Sequence, residues 1–322
     1  MKFIFKLFSG LLLLIVVGAV TYSAVYWVPD RSLEELKPRW AKPASQFIDV
    51  DGMKIHVLDE GPRDNSTPIV LLHGTSSSLH TWDGWADALK NKHRVIRFDM
   101  PAFGLTGPSP DNNYTIEYYA QTVVAVLKKL QIEHYILAGN SLGGYVAWAT
   151  AVLHPEQVEQ LILIDSSGYP FKAQSVPIAF KIAATPILNQ LVEYVLPRGI
   201  IESSLKNVYG NPSLVTPELI DRYYDLASRS GNRQALVERF RQTQPGLLAN
   251  KVPQIKLPTL ILWGGRDNLI PPHYGERFHN EIVGSKLVVF DELGHVPHEE
   301  APMKTVAALK DFLAVQQAVN GV

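Results

Sequence analysis

Short apolar runs alternating with amphipathic stretches constrain this chain more than any other feature. Pro68–His73, Arg94–Phe98, His134–Ala138, Gln160–Ile164, Thr259–Trp263 and Lys286–Phe290 are each rich in branched aliphatic residues. Runs of this length without strict polar alternation suit strands buried on both faces. Phe47–Val50 and Lys54–Leu58, joined across Asp51-Gly52, read as a hairpin. The clearest helical pattern is Ile116–Leu130, where Ile116, Tyr119, Val123, Leu127 and Leu130 share one face behind the capping residue Thr115. Strands alternating with helices predict an α/β fold, a mostly parallel central sheet with helices on both faces.

The alternation stops between Ser167 and Pro258. That stretch has helical patterns, many Pro and Gly breaks and no convincing strand. It is too long for a bare loop, so the expectation is a helical cap or lid inserted into the core. The predicted division is an N-terminal segment (1–30), the first part of the core (31–166), the cap (167–257) and the second part of the core (258–322).

Gly139-Asn140-Ser141-Leu142-Gly143 follows one strand and opens a helical pattern running to about His154. A G-x-S-x-G pentapeptide in a strand–turn–helix setting is a nucleophile elbow: the tight turn strains the serine backbone and presents its hydroxyl at the end of the strand. A serine alcohol is a weak nucleophile without a base. His295 follows the last strand, where a loop can carry its imidazole over the sheet edge to Ser141. Asp267, just past the penultimate strand, is the acid that would orient the imidazole. The order Ser141, Asp267, His295 matches the Ser–acid–His order of this motif set.

Asp165, at the end of the strand after the nucleophile's, is the alternative acid, while Asp291 is too close in sequence to His295 to turn back. His298 and His73 read as structural. The backbone N–H groups of Thr75 and Leu142 are the expected oxyanion donors.

Composition removes several rival chemistries. With 30 Lys+Arg against 31 Asp+Glu, the net charge of −1 offers no basic excess for nucleic acid. Zero cysteines exclude a thiol nucleophile and Cys-ligated metal centres. The expected chemistry calls for no cofactor and no metal.

These motifs resemble the α/β-hydrolase fold family, in its lipase/esterase, haloperoxidase-like and C–C hydrolase group. The matching pieces are Leu72-His73-Gly74, Asp99-Met100-Pro101-Ala102-Phe103-Gly104, Gly139–Gly144, Trp263-Gly264-Gly265-Arg266-Asp267 and Gly294-His295. They span about residues 45–317, with a cap between the sixth and seventh strands. The resemblance implies acyl transfer on small-molecule carboxylic esters, through an acyl-enzyme on Ser141. C–C hydrolysis or perhydrolysis is the alternative, and a non-catalytic binding protein is a third reading. Two departures stand out. Pro101-Ala102 replaces the family's frequent Pro-Gly. Thr75-Ser76-Ser77-Ser78 and Val296 stand where C–C hydrolases of the group tend to carry a Gly/Pro-rich stretch and a tryptophan, which favours ester hydrolysis. With a membrane segment ahead of the core, lipid-like or other hydrophobic esters are the expected substrates.

That segment is Leu7–Val28, an uncharged run preceded by Lys2 and Lys6. As a helix it would reach about 33 Å, enough for a bilayer core, with Tyr22, Tyr26 and Trp27 as interfacial aromatics. The expectation is a single-pass transmembrane helix with the catalytic domain on the extracytoplasmic side. A cleaved signal peptide, giving a secreted or periplasmic protein, is the rival. Oligomeric state, physiological substrate and cap pocket residues are not readable from these residues.

Overall fold

The structure is a computed structural model. It describes residues 10–320 except 12, 15, 16, 19, 20, 22, 23, 64–66 and 187. Eight strands form one sheet: β1 (Gln46–Val50), β2 (Met53–Glu60), β3 (Ile69–Leu72), β4 (Val95–Phe98), β5 (Tyr135–Asn140), β6 (Val158–Ile164), β7 (Thr259–Gly264) and β8 (Lys286–Phe290). Their order is β1-β2-β4-β3-β5-β6-β7-β8, with β1 and β2 antiparallel at one edge and β3 to β8 parallel.

Each predicted strand is present, and the pleat explains why the runs are apolar throughout. Ile69, Leu71, Ile136, Ala138, Ile162, Ile164, Leu260 and Leu262 point into one core layer with Trp82, Trp85 and the C-terminal helix Pro302–Asn320. Val70, Leu72, Leu137, Leu161, Leu163, Ile261 and Trp263 point into the other, against the helices Ile116–Lys129 and Leu142–Leu153. A strand covered on both faces has no position where water selects a polar residue. Thr115 caps the first of those helices through its hydroxyl, which accepts from Tyr118 N–H.

Between β6 and β7 the chain carries the helices Ile178–Ala184, Asn189–Val192, Arg198–Val208, Pro217–Ala227 and Asn232–Gln242 and, among the described residues, no strand of the sheet. The chain ahead of β1 is bound to these helices. Asp225, buried on the helix Pro217–Ala227, accepts from Arg31 Nη1 at 2.7 Å, Arg39 Nη1 at 3.0 Å and Trp40 Nε1 at 2.9 Å. Asp30 pairs with Arg233 at 2.7 Å, and Trp27 stacks on Tyr194 with ring centres 5.1 Å apart.

The expected membrane-spanning helix falls partly outside the described residues. Gly10, Leu11, Leu13, Leu14, Val17, Gly18, Thr21, Ala24 and Val25 are helical, and Leu11, Leu13, Leu14, Val17 and Val25 are exposed. Among the described residues no helix is long and apolar enough to cross a membrane. Tyr26 and Trp27, expected at a membrane interface, are instead drawn toward the cap: Leu196 N–H donates to Tyr26 O, and Val28 N–H to Tyr194 O.

The loop after β4 is built around Asp99, which is fully buried and accepts from Leu79 N–H, Leu105 N–H and the His56 ring, each at 2.7 Å. Burial alone would raise its pKa. The imidazole of His56, with smaller contributions from His73 and His80, more than offsets this and holds the carboxyl below the usual carboxylate range. In the same loop Ala102 has φ +81°, a left-handed conformation that costs an L-residue about 1 kcal/mol. This is the position at which the family resemblance implies glycine. Ala102→Gly relieves that strain but enlarges the unfolded ensemble, so a net gain of about 0.5 kcal/mol is expected; urea unfolding at matched pH measures it.

Candidate active site

β5 ends at Asn140 and the next helix begins at Leu142, leaving Ser141 alone in the turn with φ +55° and ψ −114°. The close approach of helix and strand explains the flanking glycines. A Cβ on Gly139 would lie 2.0 Å from Gly143 O, and one on Gly143 would lie 2.2 Å from Leu72 O. Backbone bonds fix the elbow. Ser141 N–H donates to Ile164 O on β6, and Ser141 O accepts from Ser167 N–H.

His295 and Asp267 meet in the loops after β8 and β7. His295 Nδ1 lies 2.7 Å from Asp267 Oδ2, and both residues are buried. A carboxylate facing Nδ1 makes that the protonated nitrogen and leaves Nε2 to accept a proton. The other Asp267 oxygen accepts from Leu269 N–H at 2.8 Å and Ile270 N–H at 2.9 Å. Ser141 and His295 line one cavity. They share no direct hydrogen bond in this geometry, which is common for such pairs before substrate tightens them.

Thr75 and Ser141 both line this cavity and a second one, which Leu142 also lines. Neither the Thr75 nor the Leu142 N–H is engaged by another backbone group among the described residues. Leu142 opens its helix, where N–H groups lack intrahelical partners.

Asp165 lies close to the acid without replacing it. Its Oδ1 accepts from Gly264 N–H at 2.9 Å. Burial first, then the charge of Asp267, pushes its carboxyl well above the ordinary carboxylate value. Ligand atoms of Asp165, Asp267 and His295 fall within 4.8 Å of one another, the spacing a small cation would need. Backbone N–H groups hold one oxygen of each carboxylate, Gly264 on Asp165 and Leu269 and Ile270 on Asp267.

His73 is buried, with Nδ1 2.7 Å from Gly74 O and Nε2 accepting from Met100 N–H at 3.0 Å. His298 is buried against Trp82, with Nε2 3.1 Å from Thr81 Oγ1. Both match the structural reading. Two supports escaped the sequence. Asn140 donates through Nδ2 to His295 O at 2.9 Å, tying the elbow to the histidine loop. Glu300 accepts from the N–H groups of Gly210, Asn211 and Gly294, fastening that loop to the cap. Asn140 stands inside the visible motif, but its partner is 155 residues away. Glu300 carries no local signal beyond Pro297, which opens its short helix.

An elbow serine over a parallel sheet, with a buried Asp–His pair beside it, defines a class. Residues 67–302 match the α/β hydrolase fold, and the chain belongs to that family and is a hydrolase. It is 29% identical over 277 residues to 2-hydroxymuconate semialdehyde hydrolase of Pseudomonas sp. strain CF600, covering 83% of this chain and 93% of that one. It is 27% identical over 271 residues to an uncharacterised hydrolase of Bacillus subtilis strain 168, covering 84% and 98%. Among solved structures, a membrane phospholipase A described as a bacterial virulence factor is 27% identical, with a TM-score of 0.73 and 98% of each chain covered.

Because Asp165 has a raised folded-state pKa, its favourable contribution is full below the unfolded value of about 3.9 and is lost as pH rises through the folded value. Asparagine keeps the acceptor for Gly264, donates toward Asp267 and tolerates the φ of +44° found there. Asp165→Asn is therefore expected to be more stable than wild type at pH 8. The gap should close as pH falls toward 4, read by urea unfolding across pH.

Proposed function

We propose that this protein is a membrane-tethered serine hydrolase of hydrophobic carboxylic esters. Ser141 acts as the nucleophile, His295 as the base and Asp267 as the carboxylate that orients it. The observation that carries the reading is the meeting of two apolar cavities, of about 140 and 190 Å³, at Ser141. The first is lined by cap residues such as Val195, Leu196, Ile201 and Leu205. The second is lined by Tyr114, Tyr145 and Phe240, among others. A carbonyl at Ser141 thus has room for an apolar group on either side of the scissile bond.

In the first step His295 Nε2 takes the serine proton as Oγ attacks the carbonyl carbon. The N–H groups of Thr75 and Leu142 receive the developing oxyanion. His295 then passes its proton to the departing alkoxide, and water repeats the sequence to release the acid and restore Ser141. Similarity to a membrane phospholipase A across 98% of the chain supports both the lipid-like substrate and the tether. Under this reading the catalytic domain sits on the extracytoplasmic side. The similarity to a C–C bond hydrolase favours a second reading, cleavage of a carbon–carbon bond by the same serine. Val296 beside the histidine and the run of serines after Thr75 weigh toward esters.

A fluorophosphonate is expected to label the wild type and not Ser141→Ala. Ser141→Ala and His295→Ala should each lower kcat/KM for p-nitrophenyl octanoate by about 10³-fold or more. Failure of the folded wild type to label would sink the hydrolase reading; turnover of a dienoate C–C substrate with no ester activity would select the second. Removing residues 1–30 should move the protein from the membrane pellet to the supernatant, measured by blotting fractions, and an unchanged distribution would refute the tether.

A further inference from the structure

The second cavity has one feature that ester chemistry on neutral chains leaves unused. Arg239, on the helix Asn232–Gln242, lines it together with Ser141. Its side chain is more than nine-tenths buried, and the guanidinium nitrogens Nε and Nη1 have no hydrogen-bond partner. The other two buried arginines each face a carboxylate, Arg97 with Glu60 and Arg233 with Asp30. Arg239 pairs with none among the described residues.

Its polar neighbours are already committed. Gln242 donates to Asn112 O and Glu238, and accepts from Tyr114 N–H. Tyr119 donates its hydroxyl to Pro101 O, and Thr243 donates to Arg239 O. Glu238 is held by Gln242 and Arg241. The acidic residue on the cavity lining, Glu117, is exposed in the first turn of its helix. Phe240 presents a ring 5.0 Å from the guanidinium carbon. Burial draws the guanidinium pKa down, only partly countered by Tyr119.

A guanidinium cannot shed its proton at working pH, and leaving one unpaired away from water is costly. Its planar fork matches a carboxylate or phosphate with two parallel hydrogen bonds. We propose that Arg239 is the counter-ion for an oxyanion carried by the substrate itself, a carboxylate or phosphate on the group that fills the second cavity. Preferred substrates are then esters that are apolar on one side of the scissile bond and end in an anion on the other. This rests on the serine-hydrolase reading and narrows its substrate class.

The test uses two matched pairs on the full-length protein in detergent. Mono-p-nitrophenyl adipate beside p-nitrophenyl hexanoate places a carboxylate on the acyl side. Hexanoyl glycerol phosphate beside hexanoyl glycerol places a phosphate on the alcohol side. At least one anionic ester is expected to exceed its neutral partner by about tenfold in kcat/KM, and Arg239→Met should lower that ratio by about tenfold, mainly through KM. Arg239→Lys should keep part of the preference, and the melting temperature of Arg239→Met should not fall. A ratio near one for both pairs in the wild type overturns the proposal. So does a ratio untouched by Arg239→Met while both rates drop together, the mark of a structural role. If fluorophosphonate labelling fails, calorimetric binding of monoethyl adipate to Ser141→Ala and to Ser141→Ala/Arg239→Met still decides: a tenfold weaker Kd in the double variant supports the anion site, and equal Kd values overturn it.

Discussion

Everything in this site depends on one strained residue held between a strand and a helix. Ser141 keeps a positive φ because β5 is locked in register between β3 and β6 and the helix behind it cannot retreat. Contacts near 2 Å from hypothetical Cβ atoms at Gly139 and Gly143 measure how closely the two elements meet. The sheet absorbs the strain because its central strands are buried on both faces, so no solvent-exposed edge lies nearby to relax into. The helix that starts at Leu142 then directs its free N–H groups toward the same point.

The remaining parts converge on that point through long-range bonds. Asn140 bonds to the carbonyl of His295, Glu300 holds Gly294 and the cap together, and Asp267 is fixed by two backbone N–H groups before it meets the imidazole. The histidine loop is thus tied on three sides.

The central strands were legible from sequence because burial on both faces leaves few polar positions, whereas β1 and β2 were legible as a hairpin and β8, at the sheet edge, as an apolar run whose Lys286–Phe290 boundaries agree to the residue. Ser141, Asp267 and His295 were legible because each follows a strand in an order that chain connectivity alone displays. Asn140, Glu300 and Arg239 were not. Their significance lies in partners, or in the want of one, across long stretches of sequence, and neither spacing nor composition records that. Ala102 is an intermediate case: the sequence shows the missing glycine, and only the backbone shows the strain that results. The apolar N-terminal run is legible as composition. Its last aromatics turn toward the cap because Tyr194 and the backbone at Leu196 offer stacking and hydrogen bonds there.

Asp225 draws Arg31, Arg39 and Trp40 onto one carboxylate, so the cap is moored to the segment ahead of β1 as well as through Glu300 and the two chain crossings that create it. Swinging the cap away as one piece would break all three of these bonds to Asp225. The segment ahead of β1 thus acts as a stay on the helix Pro217–Ala227.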